Sequence, residues 1–344
     1  MKAVGFRQSL PVSHPEALID LELPLPVPEA HDVLVKISAI AVNPVDTKIR
    51  RLAAPAAGEV RIPGWDAVGE IVTTGSAVSG FQPGQRVYYA GALARQGSNA
   101  QYQVVDARLI AVAPQSLSDE QAAAMPLTTI TAWEILFDRL QVQRKGAEPR
   151  KPRQRTLLIT GGAGGVGSMM IQLAKQLTDV TVIATASRES SAAWCRELGA
   201  DHVINHHQPL LPQLQALGLS SVDMIASLTH TIDYIAQYVE CLTPQGQLAV
   251  IDDADVLDVM PLKRKSISLH WESMFTRSMF STDDIAQQGA LLAEVAAMVD
   301  AGRLRTTLST ILQPFNAATL RQAHEMLESQ QTIGKVVVTG FGHD

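Results

Sequence analysis

Short apolar runs broken by glycine and proline dominate the first third of the chain. Asp32 to Ile40, Ala67 to Thr73, Arg86 to Tyr89 and Gln101 to Val105 each read as strands, and the breakers between them predict irregular, barrel-like antiparallel β structure. The texture changes near Ser118, where Ser118-Asp119-Glu120-Gln121 supplies an N-cap and an acidic first turn ahead of Ala122-Ala123-Ala124-Met125. From Thr156 onward, strands and helices alternate. The pattern predicts a strand at Thr156 to Thr160, a helix at Gly165 to Leu177, a strand at Val180 to Ala186, a helix at Ser190 to Leu198 and a strand at His202 to Ile204. Further strands are expected at Met224 to Ala226, Gln247 to Ile251 and Ile267 to Trp271. Such alternation predicts a parallel sheet covered on both faces. The chain then leaves that unit through a helix at Asp283 to Ala301, a strand at Leu308 to Leu312, a helix at Ala317 to Glu328 and the apolar run Lys335 to Thr339.

The 344 residues are 46% hydrophobic, 18% charged and 5% aromatic, which excludes collagen-like, highly charged and disulfide-stapled classes and leaves room for two domains. A net charge of -6 offers no general footprint for nucleic acid or an anionic membrane. Arg144, Lys145, Arg150, Lys151, Arg153 and Arg155 do cluster, interrupted by Gly146, Pro149 and Pro152; without interleaved aromatics they read as a solvated loop in preference to a nucleic-acid patch. Cys195 and Cys241 are too few for a cysteine zinc cluster or a disulfide framework. No signal-peptide run follows Met1, and no segment reaches the ~18 apolar residues of a membrane span. A cytoplasmic protein with no membrane partner is expected.

The segment Thr160-Gly161-Gly162-Ala163-Gly164-Gly165-Val166-Gly167 carries G-x-G-x-x-G at Gly162, Gly164 and Gly167, after a predicted strand and at the start of a predicted helix. In that context the first glycine allows the tight turn, the second lets backbone approach a pyrophosphate, and the third permits close helix packing. The helix N-terminus then faces phosphate with N–H groups and partial positive charge. About 20 residues on, where an acidic residue would bind a free ribose hydroxyl, the chain has Ser187-Arg188. A hydroxyl and a guanidinium fork suit a 2′-phosphate, so NADPH is expected over NADH, with Glu189 as the residue that would oppose this by turning inward.

Eight segments together resemble the medium-chain dehydrogenase/reductase superfamily, in its zinc-free quinone-oxidoreductase-like branch, across nearly the whole chain. They are Val42-Asn43-Pro44-Val45-Asp46, Pro63 to Val72, Phe81 to Val87, Gly97 to Tyr102, Thr131-Ala132-Trp133, the glycine loop, Glu197 to Asp201 and Gly334 to Val337. The resemblance implies a GroES-like β-rich catalytic domain built from residues 1–124 and 276–344, a Rossmann doubly wound parallel-sheet domain at 125–275, and an active site in the cleft. It also implies a homodimer through edge strands, with the apolar run Ile267 to Trp271, Met274-Phe275 and Met279-Phe280 as the candidate contact. Where zinc-dependent members place zinc ligands, this chain has Asn43, Trp65 and the Leu127–Thr128 region, so no metal is expected.

Without a Lewis acid, an alkoxide is hard to stabilise, whereas a quinone or α,β-unsaturated carbonyl spreads hydride charge onto an enolate or quinol oxygen. The expected reaction is NADPH-dependent reduction of such an acceptor. The resemblance carries candidate roles onto Asn43 as a donor, Asp46 and Lys48 as its supports, Trp65 as an apolar wall, and Thr131, Ile251 and Lys335 as cofactor contacts. With them stand Gly162, Ala163, Gly164, Gly165, Val166, Gly167, Ser187 and Arg188. Tyr88 and Tyr89 alternate on one strand, so one of them is a candidate proton donor, with barrel core as the competing role. His206 is a candidate adenosine-end contact; with His202 and His207 it reads as a strand end, with the two neighbouring rings pointing opposite ways, in preference to a metal site. The alternatives are an NADPH-binding sensor or nucleic-acid-binding protein with weak reductase activity, and a zinc-type alcohol dehydrogenase.

Overall fold

The computed structural model describes residues 1–146 and 155–342. Arg150, Lys151 and Arg153 of the basic run therefore lie outside the described residues. The chain divides into two compact units, Met1–Ile130 with Phe275–Asp344, and Thr131–Met274.

The first unit opens with β1 (Lys2–Gly5) and β2 (Ile19–Glu22), an antiparallel pair, followed by β3 (Asp32–Ala41), β4 (Ala67–Thr74), β5 (Arg86–Tyr89), β6 (Tyr102–Asp106) and β7 (Ile110–Val112). Helix α1 (Pro44–Leu52) follows β3, and α2 (Asp119–Ala123) and α3 (Pro126–Trp133) follow β7. The Ser118 hydroxyl accepts from the Gln121 N–H at 3.3 Å while Gln121 accepts from the Ser118 N–H, a capping box that starts α2 as the sequence predicts.

In the second unit β8 (Thr156–Ile159), β9 (Thr181–Thr185), β10 (His202–Ile204), β11 (Val222–Ser227), β12 (Leu242–Val250) and β13 (Ser268–Trp271) form one sheet. The helices between them are α4 (Gly165–Leu177), α5 (Glu189–Glu197), α6 (Leu210–Ala216) and α7 (Thr231–Cys241). The strand order is β10-β9-β8-β11-β12-β13 with every pairing parallel. That is the doubly wound order expected, with the direction of winding reversing between β8 and β11. β8 and β11 are buried at every position because helices cover both faces. Leu158, Ile183, Ile225, Leu248 and Tyr238 make the core of this unit.

The return segment adds α8 (Thr276–Phe280), α9 (Gln287–Asp300), β14 (Leu308–Leu312), α10 (Ala317–Glu328) and β15 (Lys335–Thr339) to the first unit. β15 lies between β14 and β3, so the two ends of the chain share one sheet of order β14-β15-β3-β4-β5-β7, with β6 paired to β3. β3 is mostly buried at this centre, whereas β14, at the edge, alternates half-buried and exposed residues as a one-sided strand should. Among the described residues no helix is long and apolar enough to cross a membrane.

Candidate functional site

The carboxyl ends of the parallel strands gather the first group of candidate residues. In an open α/β sheet the crevice at the winding reversal is the usual ligand site, and the glycine turn leaves β8 there. The left-handed residue of that turn is Gly161, at φ +65°, rather than Gly162 as the G-x-G-x-x-G spacing suggests. Gly162 is fixed by crowding: a Cβ there would lie 2.8 Å from the Ala184 Cβ and 3.1 Å from the Cys195 Sγ. Gly167 is tighter still, since its Cβ would meet the Gly161 oxygen at 2.6 Å. Gly164 is different: the same construction meets only the Gly161 oxygen at 3.4 Å, so an open cradle faces that glycine. With Ala163 before the cradle and Gly165 and Val166 opening α4, the first-turn N–H groups have no carbonyl within the helix to receive them. Phosphate oxygens fit such a cradle.

At the end of β9, Ser187 is half-buried and Arg188 exposed. Glu189 points away from the acidic role: its side chain is 85% exposed and pairs with Arg196 two turns further along α5, at 3.1 Å. At the end of β10, His206 and His207 sit in a turn with ring centroids 4.6 Å apart, so the rings pack together rather than pointing opposite ways along a strand. The His206 Nδ1 is buried without a partner, and burial, then His207 and His230, hold its pKa below the ordinary value. Ile251 follows β12, its N–H donating to the Ser227 carbonyl at 3.3 Å. Thr131 is buried on α3.

The second group belongs to the first unit, around a buried ammonium. Lys335, at the start of β15, is 3% exposed and gives its three protons to the Val42 carbonyl at 2.9 Å, Asn43 Oδ1 at 2.5 Å and Asp66 Oδ2 at 2.8 Å. Asn43 Nδ2 donates to the same Asp66 oxygen at 2.8 Å, and the Leu127 N–H donates to Asp66 Oδ1 at 2.7 Å. Asp46, in the first turn of α1, accepts from the Asn43 N–H at 2.7 Å while its second oxygen is buried without a partner. Burial pushes the Asp46 carboxyl up to about 7, and pushes Asp66 up against the opposing pull of Lys335. Two carboxyls facing one ammonium are thus closest to neutral with a proton on Asp46.

This packing corrects four expectations. Asn43 is not a free donor, because both ends of its amide are engaged inside the cluster. Lys335 has no proton left for a cofactor and stands in the first unit with Asp66. Tyr88 is no proton donor to a ligand: it is fully buried and donates to the Leu292 carbonyl at 2.6 Å, the barrel-core role. Trp65 is fully buried too, its indole N–H on the Ala92 carbonyl at 3.2 Å and its ring edge-on to Phe275, so it fills core instead of lining an open wall. Asp66, the hub of the cluster, was missed as a candidate; the available signal was a carboxylate set in the apolar run Trp65-Asp66-Ala67-Val68. The basic run also gains aromatic neighbours, with the Arg144 guanidinium 5.2 Å from the Trp133 ring and 5.7 Å from that of Phe137.

Comparison with known proteins agrees with this architecture. Residues 29–115 match the alcohol dehydrogenase GroES-like domain, and residues 198–338 match the zinc-binding dehydrogenase family. The chain is 38% identical over 339 residues to a zinc-type alcohol dehydrogenase-like protein of Staphylococcus epidermidis, covering 98% of this chain and 99% of that one. It is 37% identical over 199 residues to the 2-methylene-furan-3-one reductase of Solanum lycopersicum, covering 55% of this chain and 49% of that protein. The solved structure of a Rhizobium etli protein named for the zinc-dependent alcohol dehydrogenases is 47% identical, with TM-score 0.95 over 100% of this chain and 99% of that one. The quinone oxidoreductase of Coxiella burnetii is 27% identical, with TM-score 0.78 over 98% and 99% of the two chains.

Several of these names imply zinc, and the donor set does not fit it. The matching positions hold a committed amide, an indole and the Leu127–Thr128 backbone, none of them a zinc ligand. The nearest carboxylate, Asp66, already faces the Lys335 ammonium. Among the described residues no three His, Cys, Asp or Glu side chains converge as a metal site.

Proposed function

The chain belongs to the medium-chain dehydrogenase/reductase superfamily, in its quinone-oxidoreductase-like branch, and from that membership we propose that this oxidoreductase reduces a quinone or α,β-unsaturated carbonyl with NADPH, without zinc. The observation that carries the reading is the glycine turn at the winding reversal followed by Ser187-Arg188, with Glu189 turned outward to Arg196. NADPH bound there supplies a hydride. The conjugated acceptor would take that hydrogen with its electron pair, the charge ending on its oxygen, and a proton from water would complete the two-electron reduction and leave NADP⁺.

In this reading the Gly164 cradle and the first turn of α4 hold the pyrophosphate, and Ser187 with Arg188 holds the 2′-phosphate. His206 lies at the adenosine end, and Ile251 lies against the nicotinamide. The residues that would have to carry zinc supply none of its usual ligands, so stabilisation of a simple alkoxide is not available from them. A conjugated acceptor needs no such help, and the tomato and Coxiella proteins are named for substrates of that kind. Exposed Trp271 on the unpaired edge of β13 supports pairing with a second copy of the chain.

The test is NADPH consumption against 1,4-quinones, enones, aldehydes and alcohols, with NADH and EDTA controls. Chelator-insensitive turnover of quinones or enones is expected. Turnover confined to alcohols and abolished by EDTA would overturn the reading, and a silent panel despite tight NADPH binding would replace it with a cofactor-binding protein.

A further inference from the structure

A line of hydrogen-bonded side chains crosses the carboxyl edge of the parallel sheet beneath the proposed cofactor site. Asp252, just after β12, accepts from the Thr231 N–H at 2.8 Å and from the Thr231 hydroxyl, both at the start of α7. Thr231 Oγ1 lies 2.7 Å from Ser227 Oγ at the end of β11, and Ser227 Oγ lies 3.1 Å from the Tyr238 hydroxyl. The Thr160 hydroxyl, at the entry to the glycine turn, accepts from the Leu228 N–H at 3.0 Å and lies near enough to the Tyr238 phenol to pull its pKa down. Ser227, Thr231 and Tyr238 are fully buried.

Chemistry sets the direction at the Asp252 end of this line. A carboxylate only accepts, so the Thr231 proton goes to Asp252. Thr231 Oγ1 lies against Ser227 Oγ, and the Ser227 hydroxyl donates to the Tyr238 oxygen at 3.1 Å. Burial pushes the Tyr238 phenol up to about 12, which keeps it protonated at neutral pH while its oxygen accepts from Ser227. The backbone follows the same line. Ile251 donates to the Ser227 carbonyl at 3.3 Å, Thr160 to that of Ala226 at 3.0 Å, and the Thr229 methyl sits 3.4 Å from where a Gly161 Cβ would be. A connected network of this kind, buried except at the half-buried Asp252, restricts the arrangement of its strand ends.

We propose that Asp252 is a positioning residue for the cofactor: through Thr231, Ser227 and Tyr238 it fixes the end of β12, at the nicotinamide, relative to the glycine turn at the pyrophosphate. This rests on the NADPH site proposed above. The carboxylate closes the line at the β12 end by accepting both donors of Thr231, the N–H and the hydroxyl.

Fluorescence titration of the full chain with NADPH and with 2′-phospho-ADP-ribose, which lacks the nicotinamide, tests this. Asp252→Ala and Thr231→Val are expected to weaken NADPH by about tenfold or more, the effect of a lost charge-assisted bond, and to leave the fragment unchanged. Asp252→Asn, which turns an amide N–H toward one of two donors, is expected to lose nearly as much. Should those variants fail to fold, Tyr238→Phe keeps the ring and removes one link, with a smaller loss for NADPH alone. Equal losses for both ligands would make the network a prop for the whole unit and overturn the proposal, as would no loss in any variant. A wild-type protein that binds neither ligand would overturn the cofactor reading, and this proposal with it.

Discussion

The carboxyl edge of the parallel sheet and the cluster around Lys335 are both built from polar residues at strand and helix ends, yet they dispose of their donors in opposite ways. At the edge, Gly164 keeps an open cradle and the first turn of α4 points N–H groups outward. In the cluster, all three Lys335 protons are taken by Val42, Asn43 and Asp66. The edge keeps donors free, as an anion site would. The cluster is organised to neutralise itself, tying β15 from the end of the chain to residues 42–66 near its beginning. Polar residues gathered in a pocket are therefore not interchangeable evidence of chemistry; the count of uncommitted donors separates a binding surface from a scaffold.

Lys335→Met should break this contrast most severely, because it strands two buried carboxyls without their cation. A loss of about 3–5 kcal/mol is expected in urea unfolding. A loss below about 1 kcal/mol, the value of an exposed pair, would show that the cluster is not the seam of the first unit.

On the edge side, Arg188→Ala should weaken NADPH by roughly 10- to 100-fold and leave NADH unaltered, since only the former has a 2′-phosphate to lose. Equal effects on both cofactors in a titration would remove Arg188 from the site. The two glycines sharpen the same point. Gly167→Ala drives a Cβ against the Gly161 oxygen and should cost about 1–3 kcal/mol of stability. Gly164→Ala has room, so thermal unfolding should barely change while NADPH affinity falls.

The smallest effect expected is pH-dependent. The Asp46 carboxyl has its pKa near 7 in the fold, above its ordinary value of 3.8, because burial disfavours its charge. The folded chain therefore binds the proton more tightly than the unfolded one, and the stability this provides is lost as pH rises from about 4 through 7. Asp46→Asn does not titrate and keeps an acceptor for the Asn43 N–H. It should exceed wild type by about 1 kcal/mol or more at pH 8 and by less at pH 5, read from urea midpoints. A gain independent of pH would place the charge elsewhere.

Local patterns were legible and long-range ones were not. Leu308 to Leu312, Ala317 to Glu328 and Lys335 to Thr339 are elements with the bounds their periodicity predicts. The four-residue strands β1 and β2 carry too few positions for a pattern, and their pairing comes from the fold. In the glycine turn the motif is visible, but which of two adjacent glycines takes the left-handed turn depends on Ala184 and Cys195 packing beneath Gly162. Asp66 was hidden for the plainest reason: its partners Asn43, Leu127 and Lys335 lie 23, 61 and 269 residues away along the chain. The Asp252 network is likewise invisible until β8, β11 and β12 are side by side.

The most direct test of the account is a paired fluorescence titration of the wild-type protein with NADPH and NADH at one ionic strength. With Arg188 at the end of β9 and Glu189 paired outward to Arg196, NADPH should bind at least about tenfold more tightly, the contribution of one charge-assisted contact. Equal affinity, or tighter binding of NADH, would contradict the assignment of the carboxyl edge as an NADPH site.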